Sequence, residues 1–172
     1  HNVVFAPISE GVVQAVDADT MTSLWVTKPA WTGAQKPGLS CLSRVTYENG
    51  YIYYGTWNTD DTNGYFYCYN AADLDSLTAT ETKSPVWMVE HKGGFYWSEA
   101  KVSGDYVLFG SEDGNLGYLD GTPTADIYTC LAGTAFEGAG KSFGQTPVVD
   151  SFLVNGDIRS SAVYDSDTAA FY

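Results

Sequence analysis

Short segments in which β-branched and aromatic residues alternate with polar ones recur along the whole chain, and no window sustains the 3.6-residue apolar stripe of an amphipathic helix. Gly, Thr, Tyr, Val and Asp are too frequent for long helices. The pattern predicts an all-β protein with strands at 3–8, 11–17, 23–27, 43–47, 51–57, 64–70, 86–90, 101–102, 106–110, 116–119, 127–131 and 162–164. Asn49-Gly50, Asn63-Gly64, Asp113-Gly114 and Asn155-Gly156 are the dipeptides that tolerate the positive φ of type I′ hairpin turns. Two longer Gly/Thr/Ala-rich segments, 71–84 and 133–144, read as excursions on one rim rather than as linkers.

Self-comparison shows a repeat. Ser43-Arg44-Val45-Thr46-Tyr47 runs through Asn49-Gly50 into Tyr51-Ile52-Tyr53-Tyr54-Gly55, and Ser98-Glu99-Ala100-Lys101-Val102 runs through Gly104 into Tyr106-Val107-Leu108-Phe109-Gly110. Ser160-Ser161-Ala162-Val163-Tyr164-Asp165, continuing to Phe171-Tyr172, is a third copy. A following strand recurs at 11–17, 64–70 and 114–120, each a Gly followed by alternating residues ending in Asp or Asn. Four short strands per period of about 50 residues is the grammar of β-propeller blades.

The stretch Ala15-Val16-Asp17-Ala18-Asp19-Thr20-Met21-Thr22-Ser23-Leu24-Trp25 resembles the A-x-D-x-x-T-G-x-x-x-W docking motif of the PQQ-like (quinoprotein) β-propeller repeat, with Met21 where the family has Gly. The resemblance implies that Trp25 packs across the next blade and that Asp17 and Thr20 tie the turn between strands 3 and 4. Later copies are degraded: Cys68-Tyr69-Asn70-Ala71 leads through an insertion to Trp87, and Gly117-Tyr118-Leu119-Asp120-Gly121 has no Trp at the expected distance. Ser98-Glu99-Ala100 and Ser160-Ser161-Ala162 are similar to the family's Ser-Ser-Pro entry into strand 1, with Ala for Pro. The expected fold is a single partial propeller domain over 1–172, with blade segments at about 1–28, 41–90, 97–131 and 160–172. That is an arc of roughly three four-stranded antiparallel blades, drawn from a larger ring of seven or eight. An arc leaves raw blade faces and open edges at 3–8 and 169–172, so the expectation is a longer parent chain or self-association through those faces.

Charge narrows the partners. Eight Lys and Arg against 21 Asp and Glu give a net charge of −13, a field that repels nucleic acid backbones and anionic lipid surfaces. No apolar run approaches the roughly 20 residues of a spanning helix. Cys41, Cys68 and Cys130 form no CxxC pair and have no neighbouring His, so zinc is disfavoured; buried free thiols are expected, with a single disulfide left open.

Catalytic motifs are not found. Under the resemblance, the enzymatic alternative is a piece of a PQQ- and calcium-dependent quinoprotein dehydrogenase, but the vicinal Cys-Cys pair is absent and no matching set of Glu, Asn and Asp is assignable; no cofactor is expected outside that alternative. His91, the one internal histidine, is followed by Lys92 and a Gly-Gly turn and has no nucleophile partner in sequence. Gly140-Lys141-Ser142 imitates the end of a P-loop, but Ala135 stands where the loop needs Gly. Asn58, Asp60, Asp61 and Asn63 gather calcium-type oxygens in one loop without EF-hand spacing. Tyr96, Trp97 and Arg159 precede the recurrent Ser entries, a place facing the central funnel of a ring, where aromatic rings stack on sugars or anchor a partner protein. The expected function is therefore a non-enzymatic interaction scaffold of an exported or cell-surface bacterial protein, binding protein or glycan through blade-rim loops.

Overall fold

The computed structural model describes residues 2–28, 43–57, 63–71, 81–97, 99–112, 125–154, 156 and 158–172. Its elements in chain order are β1 (Val3–Pro7), β2 (Val13–Asp17), β3 (Ser23–Thr27), β4 (Thr46–Glu48), β5 (Tyr51–Gly55), β6 (Gly64–Asn70), β7 (Glu81–Lys83), β8 (Trp87–His91), β9 (Lys101–Ser103), β10 (Tyr106–Gly110), β11 (Ala125–Leu131), α1 (Gly133–Gly138), β12 (Val148–Val154), β13 (Tyr164–Asp165) and β14 (Ala170–Phe171). Three four-stranded sheets have the orders β1-β2-β3-β7, β4-β5-β6-β8 and β9-β10-β11-β12, and β13 pairs with β14. The fold is an arc of propeller blades.

Alternation along the strands explains the stacking, because successive side chains of the second blade feed opposite cores. Tyr51, Tyr53, Phe66, Cys68, Trp87 and Val89 pack with Val107, Phe109 and Cys130 of the third blade. Ile52, Tyr54, Tyr67 and Tyr69 pack with Val13, Ala15, Leu24 and Trp25 of the first. The second blade is thus buried on both faces, and β5 is buried at every position. Phe66 and Phe109 stack across one seam with centroids 3.7 Å apart. At the other seam the Tyr54 hydroxyl lies 2.9 Å from Thr27 Oγ1 and donates to the Gly11 carbonyl at 3.1 Å.

Four differences from the sequence reading have physical causes. The first sheet is not purely antiparallel: segment 71–84 is more than an excursion, because it carries β7 back to pair in parallel with β3. In the third blade, 127–131 belongs to the third strand β11, and the fourth is β12, so this sheet continues past residue 131 to Val154. β12 escaped prediction because Val-Val-Asp-Ser-Phe-Leu-Val breaks alternation, with its five central residues exposed and a register shift at Thr129/Cys130. Segment 133–144 contains α1, whose Phe136 enters the core and whose Gly133 lies on the Tyr51 ring. Asn49 (φ 51°) and Gly50 (φ 84°) form the predicted turn. Gly64 instead opens β6 without a positive φ; a Cβ there would meet the Thr56 carbonyl oxygen at 2.3 Å. The strand expected at 116–119, the Asp113-Gly114 turn and Cys41 lie outside the described residues.

Candidate functional site

Three strands, β5, β8 and β10, end at Gly55, His91 and Gly110, where their antiparallel neighbours β6 and β11 begin. One end of the sheets therefore gathers these termini with the linkers that pass from blade to blade. Arg44, Glu99 and Ser161 hold the same place in the three Ser-led entries, and they meet: Arg44 Nη1 lies 3.3 Å from Glu99 Oε2, and Ser161 Oγ donates to that same oxygen at 3.2 Å. Thr46 Oγ1 donates to the Ala100 carbonyl at 3.1 Å. These contacts join each strand entry to the next.

The repeat fixes the linkers by the same bonds twice. Phe95 N–H donates to the Thr56 carbonyl at 3.0 Å, and Ile158 N–H to the Ser111 carbonyl at 3.3 Å. Thr56 Oγ1 accepts from Tyr65 N–H at 3.0 Å, and Ser111 Oγ accepts from Asp126 N–H at 2.8 Å. Gly55 and Gly110 are glycines for one reason: a Cβ would lie 2.4 Å from Phe95 Cβ at the first and 2.4 Å from Ile158 Cγ2 at the second.

Tyr96, Trp97 and Arg159 follow these pinned residues. Trp57 meets Tyr96 edge-on at 4.9 Å, and Tyr96 meets Trp97 at 4.2 Å and 71°, leaving Trp97 50% exposed. Glu112 N–H donates to the Gly94 carbonyl at 2.9 Å, which ties the third blade to the linker carrying the rings. The nearly buried Glu112 carboxylate lies 3.7 Å from Arg159 Nε, while the Arg159 side chain is largely exposed. Both arginines of the chain thus sit at this end of the sheets, each on a glutamate. Trp57 and Glu112 were not anticipated, although a signal existed: Gly55-Thr56-Trp57 and Gly110-Ser111-Glu112 are the same strand exit.

Deeper in the same end, His91 Nδ1 lies 2.9 Å from the Tyr128 hydroxyl and 3.8 Å from Asp126 Oδ2. Burial, then the Asp126 charge, pushes the Tyr128 phenol up to about 12. His91 sits edge-on to Phe95 and Tyr128, a packed position between blades.

The motif residues lie elsewhere, at the seams. Ala15, Trp25 and Trp87 are buried, Trp25 against the second blade and Trp87 against Tyr53 and Phe109. The Asp17 carboxylate accepts N–H bonds from Thr20 and Asp19, each at 2.9 Å, which hold it below the usual carboxylate range. Met21, in the family's Gly place, has φ 57°. Cys68 and Cys130 are buried free thiols, pushed up by desolvation. Of the candidate calcium loop, Asn58, Asp60 and Asp61 lie outside the described residues, and Asn63 Nδ2 donates to Glu90 at 2.6 Å. Among the described residues no three His, Cys, Asp or Glu side chains converge to hold a metal ion.

No family model matches the chain, and no curated protein matches it. Among solved structures it is similar to a quinohemoprotein alcohol dehydrogenase from Pseudomonas putida HK5, with a TM-score of 0.62 at 15% sequence identity. The match covers 90% of this chain and 25% of the enzyme, so the chain spans about a quarter of that protein's length. At this identity the likeness speaks for the propeller architecture alone.

Proposed function

We propose that the chain is a non-enzymatic binding scaffold of an exported or cell-surface protein, and that the mouth formed by Trp57, Tyr96, Trp97, Glu112 and Arg159 receives its ligand, a glycan. The observation that carries this reading is the stepped aromatic shelf ending in half-exposed Trp97, tied through Gly94 to the Glu112–Arg159 pair. A flat exposed ring beside one acceptor and one fork of donors suits a sugar, which offers an apolar face and a rim of hydroxyls. Linkers pinned by Thr56 and Ser111 hold the shelf in place before binding, which lowers the ordering cost.

A glycan array probed with the intact chain tests the reading, followed by titration of the best glycan. Trp97→Ala should weaken it about 30-fold, the loss of one anchoring aromatic, with circular dichroism unchanged. Affinity untouched by that variant would remove the mouth from the reading, and capture of a protein in place of any glycan would replace the ligand class. The structural likeness to a quinohemoprotein favours a second reading, a piece of a quinone-dependent dehydrogenase. Saturable uptake of PQQ with calcium, seen as a visible absorbance change, would put that reading first.

A further inference from the structure

The outer edge of the first blade is occupied by β7, which the second blade lends from its connection between β6 and β8. Trp25, Val26 and Thr27 face Glu81, Thr82 and Lys83 in parallel register, and Lys28 N–H donates to the Lys83 carbonyl at 2.7 Å. On the second blade β8 is the terminal strand, and no described strand pairs with its other edge. Strand pairing makes the two edges equivalent: Trp25 stands opposite Ala15, and Trp87 stands opposite Cys68, the matching residue of the repeat. Residues 88–90 therefore correspond to 26–28, the stretch that β7 covers.

A groove of about 320 Å³ runs along this stretch, with residues 88–90 on one wall and 143–148 on the other. Met88 packs toward the first blade and Val89 belongs to the core shared with the third, so their side chains point to opposite faces of the sheet. A cavity touched by both and by Glu90 lies along the backbone edge of the strand, the side that no described strand pairs. The facing wall is apolar at Phe143, Pro147 and Val148, and Phe143 is 51% exposed. Glu90 is exposed, accepts from Asn63 and Tyr65, and stands where the first blade has Lys28. In a chain of net charge −13, that end of the groove attracts cations.

We propose that this groove takes an extended peptide of a partner protein, bearing Lys or Arg beside Glu90, which adds to β8 as a fifth strand in the way β7 adds to β3. Main-chain bonds supply the affinity and the alternate side chains the selectivity. The site is separate from the mouth and does not depend on the glycan reading.

Amide chemical shifts of the intact chain, followed during titration with Ac-Thr-Val-Lys-Val-Thr-Val-NH2, test it. The expected result is perturbation of the amides of 88–90 and 143–148. Affinity should fall about fivefold when the peptide lysine becomes glutamate, as for an exposed ion pair, and Glu90→Lys should invert that preference. N-methylation of alternate peptide amides should abolish binding, Phe143→Ala should weaken both peptides, and Trp97→Ala should change nothing here. Absence of shifts at 88–90 at millimolar peptide would overturn the proposal, as would binding indifferent to N-methylation. A concentration-dependent dimer that perturbs the same amides without peptide would assign the groove to a second copy and overturn it equally.

Discussion

Replacing Trp25 by Ala measures how firmly the first blade is held to the second. The indole is 1% exposed, lies 5.8 Å from the Phe5 ring, and packs in one cluster with Ile52, Tyr54, Tyr67 and Tyr69. Removing about 200 Å² of aromatic surface from water at about 25 cal/mol per Å² stabilises by about 5 kcal/mol, part of which Ala retains. Trp25 Nε1 is buried without a hydrogen-bond partner among the described residues, and deleting it returns about 1–3 kcal/mol. The residual cavity and the loss of the Lys83 ammonium, 5.4 Å from the ring centroid, act in the opposite direction. The expected net loss is about 3–5 kcal/mol, a large share of the roughly 5–15 kcal/mol that holds a domain together. Urea unfolding followed by far-ultraviolet circular dichroism reads it as a lowered midpoint at constant m-value. Trp25→Phe, which keeps a ring and removes the orphan N–H, should recover most of the loss. A change below about 1 kcal/mol for the Ala variant, or a Phe variant no better than Ala, would refute the docking argument.

Three further outcomes follow from local geometry. Gly55→Ala should cost about 3 kcal/mol and Gly110→Ala less, because the new methyl meets Phe95 Cβ at 2.4 Å and its carbonyl oxygen at 2.8 Å in the first case but only the Ile158 side chain in the second; equal urea midpoints would contradict this. Met21→Gly should raise stability by about 0.5–1 kcal/mol, since Met21 is 77% exposed and holds φ 57°, and a lowered melting temperature would count against a strained turn. Burial raises the phenols of Tyr51, Tyr53, Tyr65, Tyr67 and Tyr69, and that of Tyr128 from 10.0 to about 12. The native state then keeps protons that the unfolded chain releases, so this contribution is complete below pH 10 and is lost as pH rises toward 12. Phenolate absorbance of these residues should appear together with loss of the circular dichroism signal; full titration near pH 10 in an intact fold would sink the assignment.

How much was legible depended on whether a residue's reason was local. Asn49-Gly50 is a turn because of its own backbone preferences, and the Asp17–Thr20 loop closes with bonds between residues at most three apart, so both could be read directly. Tyr96, Trp97 and Arg159 stand out in the sequence because they precede a repeated entry. Trp57 and Glu112 were not found, since what makes them part of the mouth is contact with a linker in the next repeat. β7 was invisible because Glu-Thr-Lys has no pattern of its own; its strand character comes from the edge of β3. Gly64 invited a turn reading because glycine serves two ends, positive φ and close approach, and sequence does not separate them.

The degraded motif copies share one explanation in the register of the sheets. In the second blade the insertion that separates Cys68-Tyr69-Asn70 from Trp87 obscures the motif, yet Trp87 returns opposite Cys68 as Trp25 stands opposite Ala15. The same insertion carries β7, so the stretch that breaks the spacing also covers the edge of the first blade. In the third blade Gly110 pairs with Ile127 as Gly55 pairs with Phe66, which aligns Thr129 with Cys68; Thr129 stands opposite Asp150. Asp150 therefore occupies the place of Trp25 and Trp87. The row that seats a large aromatic ring in the first two blades reads Leu108, Thr129 and Asp150 in the third, none of them able to fill a seam as an indole does. The missing Trp is thus a change in how that face docks, not a failure of the repeat, since the hydrogen bonds of Ser111 and the packing of Gly110 are kept there.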